Sequence, residues 1–330
     1  MQHNSSAANG CETPRVLVCI DLAKETQGII SPAKTIARAL NADLAFVHVI
    51  KAQRHAANGA PIDPVEWEIM RREAKAHMER FASEHADGKE ALATHLLEGN
   101  CTEQIGKVMA SRAQDIAVLG RQQDEAGARL GQTAREMLES GSNSLFLVPF
   151  GVESRPDFSR ILVPLDCSRR SERILPLVEK IARSENAEIV LVHAVPEPVL
   201  TDAGPGEPSD KELISRFNAR NERVARKYLE HLCERICADG VRVRSLVLCG
   251  GDVRRQLAAA VVEQGTDLLV LASHGHSGFD DVPFGDVANY LIKNSDIPTM
   301  VIRFSGNAAE THAFAQARSK GIRSPGTLAQ

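Results

Sequence analysis

Short, largely apolar runs alternate with longer amphipathic segments along this chain. In the first half the runs fall at 15–20, 44–49, 91–97, 115–119 and 144–148. Each reads as a strand, and the first, at 15–20, is an apolar run suited to a strand covered on both faces. Between them lie segments with helical spacing, at 25–40 and 65–86, one capped by Thr102 and running to 112, and one at 128–139. Pro32 falls in the first of these, where it can bend or delay the helix. The second half repeats the order, with strands at 160–164, 188–194, 241–248, 267–271 and 298–302. Ser168 suits the cap of a helix carrying Ile174, Leu177, Val178 and Ile181. A long helix at 213–238 has Phe217, Val224, Tyr228, Leu232 and Ile236 on or near one face. Strands alternating with helices of this length predict α/β architecture: a mainly parallel sheet with helices on both faces.

The two halves are copies. The run RVLVCID ends at Asp21 and RILVPLD at Asp166, 145 residues on. His48 in LAFVHV and His193 in IVLVHA keep the same spacing, as do IARAL and IARSE, which begin at Ile36 and Ile181. A constant offset over gap-free segments marks an internal duplication, with a period far too long for a solenoid unit. The expected organisation is a disordered lead at 1–14, one domain at 15–149, a linker at 150–158, a second domain at 159–304 and a flexible tail at 305–330.

Composition narrows the function. With 39 basic and 43 acidic side chains the net charge is -4, which argues against a broad nucleic-acid surface. No run approaches the 18 apolar residues of a membrane span. The opening MQHNSSAANGCETP has no apolar core of the kind a secretory signal needs. Seven cysteines, without a CxxC pair, suit a reducing cytoplasm better than a disulfide framework.

The copies differ most near their ends. In the second, the strand LLVLAS runs into HGHSGFDDVPFGDVANYLI. Ligands of doubly wound sheets collect beyond the C-terminal strand ends. Gly275 and Gly278 fall there, where glycine lets backbone N–H groups approach an anion. Gly285 then opens a helix carrying Val287, Leu291 and Ile292, whose start favours a phosphate. The same glycines also suit turns and a helix start with no ligand. Neither a P-loop nor a Gly-x-Gly-x-x-Gly turn is present.

These features together resemble the universal stress protein family in its tandem form, two such domains in one chain. Three features carry the resemblance: the first strand ending in aspartate, the His-bearing second strand, and the glycine pattern leading to a last helix and a strand before Arg303. It implies Rossmann-like domains of the adenine nucleotide alpha hydrolase-like type. Each has a five-stranded, mainly parallel sheet in the order 3-2-1-4-5 flanked by helices. It also implies an intramolecular pseudo-dimer using edge strand 5 of each copy, with Leu147 and Val301 near the interface. It leaves room for a homodimer of whole chains. Nucleotide-binding members carry a glycine, two residues, a second glycine, nine residues, then glycine and serine. The matching positions are Ala272, Gly275, Gly285 and Asp286. Asp286 puts a carboxylate where a neutral donor is expected, which opposes phosphate unless a cation intervenes. By the same resemblance Asp166 lies near base and ribose, and Val195 offers backbone atoms to adenine. The first copy departs further. Gly120 matches the opening glycine, but Gln123 and Gln132 replace later residues and the segment before Gly131 is shorter. The implied function is a cytoplasmic stress-response protein acting by binding and association, without dedicated catalysis. One alternative is an adenine-nucleotide sensor that takes ATP with Mg²⁺ in the second domain.

A second alternative is a small-molecule or metal carrier. His274, His276 and His193 are residues a transition metal would use, with Asp280 and Asp281 in the same loop, although a solvated loop explains them equally. Asp166, Ser168 and His193 supply the residue types of a hydrolytic triad, but Ser168 is expected to cap a helix. Cys233 and Cys237 share a helical face and read as packing beside Leu232 and Ile236.

Overall fold

The computed structural model describes residues 13–22, 27–51, 63–86, 92–112, 114–124, 127–140, 143–149, 157–198, 208–273 and 285–304. The first half runs β1 (Arg15–Cys19), α1 (Gln27–Leu40), β2 (Asp43–Ile50), α2 (Pro64–Glu84), β3 (Ala93–Glu98), α3 (Cys101–Met109), β4 (Ile116–Asp124), β5 (Gly127–Arg129), α4 (Gln132–Ser140) and β6 (Ser144–Pro149). The second runs β7 (Arg160–Pro164), α5 (Arg169–Glu172), α6 (Leu175–Glu185), β8 (Glu188–Val195), α7 (Pro208–Ala238), β9 (Val243–Cys249), α8 (Val253–Glu263), β10 (Leu268–Ala272), α9 (Asp286–Asn294) and β11 (Thr299–Ile302).

The sheet order is β3-β2-β1-β4-β6-β11-β10-β7-β8-β9, with β5 paired only to β4. Within each half the main strands are parallel and follow 3-2-1-4-5. The halves meet where β6 and β11 pair antiparallel, Leu147 opposite Thr299, Phe146 opposite Met300 and Leu145 opposite Val301. The two five-stranded sheets are therefore continuous. Because successive side chains point to opposite faces, Val16 and Val18 enter one core and Leu17 the other. The first core is roofed by α1, α2, α6 and α7, the second by α3, α4, α8 and α9. Both cores pass through the junction, Phe146 and Met300 on one face and Leu145, Leu147 and Val301 on the other.

The duplication is visible bond by bond. Asn41 and Asn186 both take left-handed backbone, at φ 52° and 51°. Asparagine tolerates that region because its short polar side chain bonds locally. The Ala42 N–H donates to Ala37 O and the Ala187 N–H to Ala182 O. The carboxylates of Asp115 and Asp267 accept the N–H groups of Arg15 and Arg160, the first residues of β1 and β7.

Several local expectations are corrected. Asn100, not Thr102, caps α3. Its side chain accepts the Glu103 N–H at 3.0 Å after Gly99 turns the chain at φ 127°, and Thr102 instead donates to Glu136. Residues 127–129 form β5 rather than the start of a helix, since β4 continues past Gly120 and folds back on itself. The helix capped by Ser168 is two pieces, α5 and α6, with Pro176 at the start of the second. Phe217 and Val224 are about half exposed, and the buried face of α7 is set by Ala225, Leu229, Leu232 and Ile236. Phe158, at the end of the expected linker, is buried edge-on to Phe146.

Candidate functional site

β7 and β10 are neighbours, and their C-terminal ends open onto the same edge of the sheet. Asp166 follows β7 by two residues, and its carboxylate accepts the Ser168 N–H at 3.0 Å. Ser168 in turn caps α5, its hydroxyl oxygen accepting the Ser171 N–H at 3.2 Å. The hydroxyl thus serves the helix start, as the sequence reading expected. Between them Cys167 sits at φ 63°, a strained conformation for a side chain of this kind. His193 Nδ1 lies 2.7 Å from the Leu165 carbonyl and 3.6 Å from Cys167 Sγ. A carbonyl oxygen only accepts, so Nδ1 carries a proton and Nε2 is the acceptor in the neutral ring. His48 makes the matching contact in the first half, 2.9 Å from the Ile20 carbonyl. Both histidines thus pin the residue before an aspartate, which is a structural task.

The surroundings of Asp166 are acidic. Burial first, then the charges of Asp166 and Glu172, push the Cys167 thiol up to about 11. Tyr228 donates to Glu172 at 3.1 Å, and burial, followed by the Glu172 charge, raises its phenol. This end of the site is suited to ligand groups that donate hydrogen bonds. Val195 ends β8 with its side chain buried, so its backbone is what a ligand would meet.

Ala272 ends β10, and the next N–H, that of Ser273, is held by the Ile302 carbonyl at 3.0 Å. Gly275, Gly278, His274, His276, Asp280 and Asp281 lie outside the described residues. Gly285 is the N-cap of α9, at φ -66° and ψ 152°, and its carbonyl accepts the Asn289 N–H. Having no side chain, it leaves the first N–H groups of α9 without a capping oxygen of its own. Asp286, in the first turn, is exposed. Arg254, at the start of α8, is bonded to Asp252 at 2.7 Å and lies 5.8 Å from the Tyr290 ring centre. The Asp252 carboxylate, and to a lesser degree Asp286, hold the Arg254 guanidinium further up. The carboxylate introduced at 286 thus has a cation nearby, one that sequence reasoning did not connect with it. It also overlooked α8, whose signal was there: a Gly250-Gly251-Asp252 turn before a helical apolar period. Both glycines take positive φ, at 82° and 88°, and Asp252 caps the helix.

The first half presents the same edge differently. Gly131 receives the Arg135 N–H as Gly285 receives that of Asn289. Upstream, however, β4 continues four residues past Gly120 into the β4–β5 hairpin. Among the described residues, no three His, Cys, Asp or Glu side chains gather in a way that could hold a metal, and no helix is long and apolar enough to cross a membrane.

Comparison with known proteins agrees with this geometry. A family model described as the universal stress protein family matches residues 12–149 and again 157–303. A universal stress protein of Bacillus subtilis (strain 168) is 25% identical over 148 residues, 44% of this chain and 99% of its own length. One from Mycobacterium tuberculosis (strain ATCC 25618 / H37Rv) is 24% identical over 306 residues, 88% of this chain and 97% of the relative. The crystal structure of a universal stress protein from Archaeoglobus fulgidus DSM 4304 superposes with a TM-score of 0.61 at 15% identity, covering 89% of this chain and 97% of that one.

Proposed function

This chain belongs to the universal stress protein family, and on that premise we propose that it acts by binding and association, without dedicated turnover, through a ligand site in its second half. The ligand class is an adenine nucleotide, ATP with Mg²⁺. The carrying observation is the start of α9 on the bare Gly285 cap, beside the C-terminal strand ends of the second half. The two ends of the site have opposite character, which suits the two ends of a nucleotide. The acidic end at Asp166 fits ribose hydroxyls and base, with the Val195 backbone alongside. The other end, with Ala272, Gly275, Gly278 and the first N–H groups of α9, fits phosphates. Asp286 and Arg254 beside it are the groups that a Mg²⁺-bearing phosphate chain would meet.

We also read the two halves, about 15–149 and 159–304, as an intramolecular pseudo-dimer, supported by the antiparallel β6–β11 pairing. A cytoplasmic location suits the six free thiols among the described residues.

Calorimetry with ATP and Mg²⁺ on the native chain, Gly275→Val and Asp286→Ser tests the site. Valine does not reach positive φ cheaply, so Gly275→Val is expected to lose binding. Asp286→Ser replaces a carboxylate with a neutral donor and is expected to strengthen binding by about 1 kcal/mol. Unchanged affinity in Gly275→Val removes the loop from the site. Absence of ATP binding in the native chain removes the nucleotide reading and leaves association, and zinc in its mass spectrum would favour the carrier.

A further inference from the structure

Arg121 is the largest fully buried side chain of the described residues, and it belongs to the first half's altered glycine segment. It follows Gly120, the position that matches the opening glycine of the nucleotide pattern. The guanidinium does not stay in its own half. Nη1 donates to the carbonyl of Ser295 at 2.6 Å, across 174 residues of chain. Ser295 is the C-cap of α9, where the backbone leaves the helix at φ -95° and ψ 130°. Burial lowers the guanidinium pKa, and the nearby Asp296 carboxylate partly offsets that. A cation at this end of a helix also matches the sign of its dipole. The same segment makes a second contact, because the β5 strand of the hairpin packs against α9.

The segment that matches the phosphate loop in the first half therefore holds the other half's α9, at its C-cap through Arg121 and through β5. α9 is short, at nine residues, and its other end is Gly285 and Asp286. A rigid helix of this length moves as one piece, so a hold on Ser295 fixes where the first N–H groups point. We infer that Arg121 is a positioning residue: through Ser295 it sets the placement of α9 and couples the first half to ligand binding in the second.

This inference rests on the nucleotide reading only for its second readout. The test uses the full chain and the variants Arg121→Met and Arg121→Lys. Methionine keeps most of the apolar stem and removes the donor, and lysine keeps a charge and a donor on a shorter reach. Hydrogen exchange is followed in peptides covering 286–294, with 175–185 of α6 as the control. We expect exchange in 286–294 to speed up about tenfold or more in Arg121→Met, with the control unchanged and partial recovery in Arg121→Lys. ATP·Mg²⁺ affinity by calorimetry is expected to weaken about tenfold in Arg121→Met, within the usual range of coupling between sites. Unchanged exchange in 286–294 overturns the inference, and so does equal loss in both peptides, which would make Arg121 a general support of the fold. Faster exchange in α9 with unaltered ATP affinity overturns the link to the ligand. If the native chain binds no ATP, the nucleotide reading fails while the exchange data still decide the role of Arg121. If Arg121→Met does not fold, the Arg121→Lys comparison with native carries the same decision.

Discussion

Replacing Phe146 by alanine probes whether the two halves stand as one unit. Phe146 is fully buried on β6, directly opposite Met300 of β11, and its ring meets Phe158 edge-on at 6.4 Å between centroids. Truncation of a fully buried Phe costs about 3–5 kcal/mol, and of a buried Met about 2–5 kcal/mol. Opposed residues in an antiparallel pair have Cβ atoms about 4.5–5.5 Å apart, so the two side chains share one hole when either is removed. The double variant Phe146→Ala/Met300→Ala is therefore expected to fall short of the sum of the singles by about 1 kcal/mol, within the ~0.5–3 kcal/mol seen for touching residues. The assay is urea unfolding followed by two probes. The single tryptophan, Trp67, lies on α2 and reports only the first half, while far-UV circular dichroism reports both. With a continuous core through the junction, Met300→Ala in the second half should lower the midpoint read by Trp67. Were the Trp67 transition indifferent to Met300→Ala, the β6–β11 pairing would carry no energy and the reasoning would fail.

Two further outcomes follow from single groups. Burial, then the neighbouring Cys101, pushes the Cys19 thiol up to about 12 from its ordinary 9.0, so the folded state holds its proton more tightly than the unfolded chain. Stability should be unaffected below about pH 9 and then fall by up to about 1.4 kcal/mol per pH unit until about pH 12. Urea midpoints across that range should show the slope in the native chain and a shallower one in Cys19→Ala. His193→Phe strips the donor from the Leu165 carbonyl and should cost about 1–3 kcal/mol, whereas Phe217→Ala on the exposed flank of α7 should stay within about 0.5 kcal/mol. Equal midpoint shifts for these two would contradict the packing described.

The sheet was legible because its inner strands are apolar runs that neighbours on both faces require, and because the second copy checked the first. The 145-residue offset in sequence became paired bonds at Asn41 and Asn186 and at His48 and His193. What was not legible depends on contacts distant in the chain. Residues Ala128, Arg129 and Leu130 are good helix formers, yet the pairing of Gln122–Asp124 with 127–129 outweighs local preference. Phe217 and Val224 lie seven residues apart on one face of α7, but the buried face is the neighbouring one that carries Ala225, Leu229, Leu232 and Ile236. Asn100 and Thr102 are both acceptable caps by residue type, and only the turn at Gly99 decides between them. Asp166, Val195, Ala272, Gly285 and Asp286 fall at or just after strand ends or at a helix start. Arg254 near Asp286 and Arg121 on Ser295 are tertiary facts with no local signal.

Where the copies agree and where they differ follow from what each position does. The matching bonds, Ile20 N–H to Val47 O and Leu165 N–H to Val192 O among them, tie the first two strands of each half together. A change there would disturb the sheet itself. In sequence the differences concentrate in the segments 120–131 and 272–285, which take in the end of the fourth main strand of each half and the residues after it. In the first half this segment closes into a hairpin and places a buried arginine on the other half's helix. The antiparallel junction makes that possible. With β6 and β11 opposed, the edge of one half where strands end lies beside the edge of the other where they begin, so Arg121, five residues into β4, reaches the turn just before β11. The departure of the first half's glycine segment from the family pattern and its contact with α9 are thus parts of one arrangement, in which Arg121 ties the first half to the C-cap of a second-half helix.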